Sequence, residues 1–149
     1  MPTVEKVVKT NAGLASELRV AVVRLRRRLV NERHPDNELS MSAMAVLGRL
    51  FREERELTIG ELAQAEGVQP PSITRTVTCL EDGGYVARQP HPTDGRQVVV
   101  TVTDRGRETV LADRARRDAW LARRLTELTA HERQALRAAA PILEKLATA

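Results

Sequence analysis

At 149 residues the chain is the size of one domain, long enough to bury a real core and short for two. Its net charge of +4, carried almost entirely by Arg, permits contact with an acidic polymer without requiring it. A lone cysteine, Cys79, excludes an intrachain disulfide framework, and no stretch approaches the roughly 20 apolar residues that span a bilayer, so a reducing, cytoplasmic setting is expected.

The first residues, MPTVEKVVKTNAGL, hold no long apolar run of the kind a leader needs. From Asn11 to about Arg33, Leu14, Leu18, Val22, Leu25 and Leu29 recur at helical spacing and predict a long amphipathic helix that stops ahead of Pro35. After the loop HPDNEL, Ser40 is placed to cap a helix whose inner face is Met44, Leu47 and Leu50 or Phe51. Aromatic residues are so few (Phe51, Tyr85 and Trp120) that Leu, Val and Ala must fill the core.

The next stretch has sharper punctuation. Thr58 and Glu61 have the spacing of a capping box, with Leu57 and Leu62 as its hydrophobic staple. Gly67 ends that short helix, since only Gly adopts the left-handed conformation without a steric penalty. Val68 is expected to be buried in the turn, and Pro70 and Pro71 open a second helix where their missing N–H groups cost nothing. In that helix Ile73, Val77 and Leu80 form a narrow apolar face. The opposite face carries Pro71, Ser72, Thr74, Arg75 and Thr78, with Gln69 just before it. Small, hydrogen-bonding side chains with one Arg suit a helix that enters a major groove about 12 Å wide and touches base edges. Taken alone, the same face would equally serve as an ordinary solvated surface.

Gly83 and Gly84 stop the second helix, and Tyr85 to Arg88 and Gln97 to Thr103 read as a two-stranded ribbon. Its tip, HPTDGR, places Arg96 where it can enter a narrow minor groove, with Asp94 to hold either the guanidinium or the turn backbone. Thr103 can then cap a long helix through Leu111, Ala115, Ala119, Ala122 and Leu125. Its charged middle, DRARRD, suits a strut between packed regions. Thr129 and Glu132 form a second capping box opening a last helix with Leu136, Leu143 and Leu146 inward and Pro141 as an expected kink.

A capped helix, a Gly turn, ITRTVTCLEDGGYVAR and then DGRQVVVTVTDRG together resemble the winged helix-turn-helix of the MarR family of bacterial transcription regulators. The most specific part is Asp94, Gly95 and Arg96 running into the Val strand, Thr103 and Gly106. The resemblance implies a mainly α fold with a small β-wing, 1–149 as one domain, 36–103 as the DNA-binding region, and 1–35 and 104–149 as long dimerisation helices. It also implies a homodimeric repressor on double-stranded DNA, often tuned by small aromatic ligands lodged beside the strut, or by oxidation. Apolar positions on the first and last helices exceed what one small winged domain covers, which independently suggests a two-fold dimer. Cys79 lies near the reading face, but Glu81 and Asp82 beside it disfavour a thiolate and no second cysteine is present to resolve an oxidised one.

Catalysis has little support. His34, His91 and His131 are scattered, and no HExxH, CxxC, phosphate loop or nucleophile elbow is present, so neither a metal nor a cofactor is expected. The competing reading is a winged helix used for protein contacts alone.

Overall fold

The computed structural model describes residues 10–149; the leader reading and the start of the 1–35 segment lie partly outside them. The chain runs α1 (Asn11–Asn31), α2 (Met41–Glu53), β1 (Leu57–Thr58), α3 (Ile59–Glu66), α4 (Pro70–Asp82), β2 (Val86–Pro90), β3 (Val98–Val102), α5 (Asp104–Thr126) and α6 (Ala130–Ala147). Its contacts group it into two compact units: His34–Ala115, and Met1–Arg33 with Arg116–Ala149.

The unit His34–Ala115 holds the core. Ser40 caps α2 by accepting the N–H of Ala43. The buried face of α2 is Ala43, Val46, Leu47 and Leu50, whereas Met44 and Phe51, expected inside, are only partly buried at its edge. Leu62 and Ala63 of α3, Ile73, Val77 and Leu80 of α4, and Leu57, Val86 and Val100 of the sheet meet that face. Burial of each such side chain contributes about 1.5–3 kcal/mol before the entropy of ordering it is subtracted.

The ribbon has three strands, not two, in the antiparallel order β1-β3-β2. Leu57 and Thr58 pair with Val100 and Val99, so the residues that cap α3 also close the free edge of β3. A two-residue strand shows no alternation, and its pairing comes from the extended backbone of the cap, where Thr58 has φ −75° and ψ 161°. One further expectation fails. Val68 is 43% exposed, although its N–H is accepted by the carbonyl of Ala63 within the turn. In α5 the inward positions before Arg116 are Gly106, Val110 and Asp113, while Leu111 and Ala115 face solvent.

In the other unit, Thr10 caps α1 and Thr129 with Glu132 forms a complete capping box on α6. The guanidinium groups of Arg28 and Arg124 lie 4.8 and 5.5 Å from the centre of the Trp120 ring. Arg133 donates to the carbonyls of Leu125 and Leu128 and so ties the start of α6 to the preceding helix end. No residue of α1 or α6 is buried among those described. Leu136, Leu143 and Leu146, expected inward, are exposed among the described residues. Pro141 does not end α6, which continues six residues beyond it to Ala147.

Candidate nucleic-acid interface

The helix-turn-helix is set by its caps. Thr58 accepts the N–H of Glu61 at 3.1 Å, and the Glu61 carboxylate accepts the Thr58 N–H at 3.2 Å. Arg55 donates to the same carboxylate at 2.8 Å, and this bond, followed by the backbone bond from Thr58, holds the Glu61 carboxyl below its ordinary value. Gly67 turns the chain with φ 66°. Arg49 of α2 reaches across to Glu66 at 2.7 Å, locking α3 against the helix beneath it.

With Ile73, Val77 and Leu80 buried, α4 turns Pro71, Thr74, Arg75 and Thr78 to solvent and leaves Ser72 half-buried. The hydroxyls divide into two groups. Thr74 donates to the carbonyl of Pro70 at 3.1 Å and Thr78 to that of Thr74 at 2.8 Å. Ser72 spends its side chain on no partner among the described residues. Gln69 is exposed at the N-cap and makes no side-chain capping bond.

Arg88 was not singled out by sequence reasoning. From β2 it donates to the Thr78 hydroxyl, lies 3.3 Å from Glu81, and has its own backbone N–H accepted by Glu81 at 3.0 Å. Strand and reading helix are thus pinned together through one guanidinium. Nothing in the local sequence signals this, because the three residues meet only once the helix has folded back on the strand.

The wing tip is built on an imidazole. His91 Nδ1 receives the N–H groups of Thr93 at 3.2 Å and Asp94 at 3.0 Å. Asp94 in turn accepts the backbone N–H of Arg96 at 3.1 Å. Of the two roles open to Asp94, the structure gives it the turn backbone. The Arg96 side chain is left exposed.

Beneath the wing, Thr103 accepts the N–H of Gly106 at 3.2 Å and donates to the carbonyl of Gly84 at 2.6 Å, joining the start of α5 to the end of α4. Buried Asp113 of α5 accepts the Asn37 side-chain amide at 2.7 Å and the His34 N–H at 3.2 Å. A cavity of about 250 Å³ opens there among His34, Asp36, Asn37, Tyr85, Arg105 and Glu108. Arg105 already stacks on the Tyr85 ring at 4.6 Å. No described cluster of His, Cys, Asp or Glu has the arrangement of a metal site. No helix among the described residues is long and apolar enough to cross a membrane.

The sequence pattern of the MarR family matches residues 39–98, which is the reading unit from α2 into the wing. An HTH-type transcriptional regulator of Mycobacterium bovis is 46% identical over 134 residues, 90% of this chain and 92% of its own length. The chain belongs to the MarR family. A putative transcriptional regulator of Pseudomonas aeruginosa has the same fold, with a TM-score of 0.80 at 33% identity over 98% of both chains. A MepR mutant of S. aureus, solved bound to an oligodeoxyribonucleotide, shares the fold with a TM-score of 0.67 at 17% identity, covering 91% of this chain and 96% of that one. This MarR-family protein is therefore a winged helix-turn-helix transcription regulator and not an enzyme. Its α4 is the helix that the sequence singles out for reading, and β2 and β3 are its wing.

Proposed function

We propose that this regulator is a homodimeric repressor that binds a pseudo-palindromic operator, with α4 in the major groove and the wing over the minor groove. The observation that carries this reading is the exposed side of α4. Opposite the buried Ile73, Val77 and Leu80, it presents Gln69, Pro71, Ser72, Thr74, Arg75 and Thr78 beside an exposed Arg96. Asp94 acts by holding the turn on which Arg96 stands.

Support for a two-fold dimer comes from Leu14, Val22, Val23 and Leu25 of α1 and Leu136, Ile142, Leu143 and Leu146 of α6, all exposed in the single chain. Pairing with a second copy removes that surface from water. Two reading helices related by such an axis meet grooves about 34 Å apart, so half-sites fall about one helical turn from each other.

Release by a small ligand completes the proposal. A ligand that prefers one spacing of the reading helices shifts the operator equilibrium by its differential affinity and by no more. The test is operator binding across a salt series, with mass measured in solution. A dimer whose affinity falls with salt and prefers one genomic duplex supports the reading; a monomer that binds all duplexes alike overturns it. A protein-interaction module would show neither the slope nor the preference.

A further inference from the structure

Hydrogen-bond accounting at the leading end of α4 narrows what it can read. Each Thr hydroxyl has one proton, and those of Thr74 and Thr78 are both committed to helix carbonyls. Pro70 and Pro71 carry no N–H, so the first turn lacks two of the backbone donors that elsewhere seize phosphate. Gln69 is the contrast. Its backbone carbonyl accepts the N–H groups of Ser72 and Ile73, which fixes the main chain, while its carboxamide caps nothing and stands exposed. On either side of it, Val68 and Pro71 expose apolar surface.

We propose that this end of α4 reads A·T pairs in each half-site. The Gln69 carboxamide meets adenine N7 and N6, and Val68 with Pro71 covers the methyl group of a neighbouring thymine. The inference rests on the operator-binding reading above and deepens it. In the major groove adenine offers one acceptor and one donor side by side, which a carboxamide matches with its own donor and acceptor. Guanine offers two acceptors and calls for a guanidinium, which here is Arg75, nearly two turns further along the helix. Apolar surface placed against a G·C edge would leave base groups unpaired, whereas a thymine presents a methyl that gains from being covered. The exposed Val68, unexplained as a core residue, fits this role.

Duplexes selected by the full chain from a random-sequence library supply the probe. The consensus duplex is then remade with single thymines replaced by deoxyuridine, which removes only the methyl, and single adenines by 7-deazaadenine, which removes only N7. Wild-type protein should bind about fourfold more weakly to one deoxyuridine duplex per half-site. The 7-deazaadenine duplex should lose about tenfold at one neighbouring position. Gln69→Ala should become indifferent to the 7-deazaadenine change, with its fold unaltered because Gln69 caps nothing, and Val68→Ser with Pro71→Ser should become indifferent to deoxyuridine. A consensus whose thymine methyls and adenine N7 atoms are all dispensable, or a Gln69→Ala protein that keeps the wild-type base preference, overturns this inference and leaves operator binding standing. Failure to select any consensus removes sequence-specific binding itself.

Discussion

A Cβ placed on Gly106 would lie 2.2 Å from the carbonyl oxygen of Tyr85 and 2.8 Å from a methyl of Val102. The first turn of α5 is pressed against the start of β2 so closely that no side chain fits, and the obstacle is backbone, which cannot rotate away. Gly106→Ala is expected to cost at least the 1–3 kcal/mol typical of overpacking, read as a lower denaturation midpoint. Gly67→Ala should cost about 1–2 kcal/mol from its φ of 66° alone, since nothing lies within 4 Å of its Cβ position. Wild-type stability in Gly106→Ala would mean that steric contact with Tyr85 is not the reason for Gly106.

Asp113 is 1% exposed and holds the loop before α2 through Asn37 and the His34 N–H. Asp113→Ala should remove about 2–4 kcal/mol, because it strands two donors as well as deleting an acceptor. Asn37→Ala should cost less on its own, and the double variant should lose less than the sum of the two, which a thermodynamic cycle measures directly.

The Glu61 carboxyl is held low by Arg55 and the Thr58 N–H, so its contribution to stability is present above the ordinary glutamate value of 4.5 and is lost as pH falls through the lowered one. Arg55, raised chiefly by the same bond, stays charged throughout. The stability gap between wild type and Glu61→Gln should therefore be widest near neutral pH and close under acid, and it should shrink in high salt because the pair is exposed. A gap independent of pH would rule out the ion pair as its source.

Arg75→Ala should cost on the order of 1–3 kcal/mol in operator affinity and relax the preference at one base pair. Arg96→Ala should weaken binding and reduce the preference for duplexes with a narrow minor groove without changing the preference at a base edge. Wild-type behaviour from both variants would place the interface elsewhere.

At the wing, His91→Ala should speed amide exchange at Thr93 and Asp94, whose N–H groups lose their acceptor, and weaken operator binding through the loosened Arg96 turn. Unchanged exchange would show that Pro92 and Asp94 shape the turn without the imidazole.

The elements that a few adjacent residues specify were legible in the sequence. Both capping boxes, the Gly67 turn, the Ile73, Val77 and Leu80 face and the Asp94 to Arg96 turn depend on contacts within about four positions, where helix and turn geometry alone brings residues together. Tertiary structure decided the rest. The pairing of Leu57 with Val100, the Arg88 bridge from the wing to Thr78 and Glu81, and the Asp113 bond to Asn37 join residues many positions apart, and no local propensity encodes them. Val68 marks the limit of pattern reading. Its apolar side chain predicts burial, but it stands exposed, because a residue in a turn belongs to no helical or strand period from which its direction could be read.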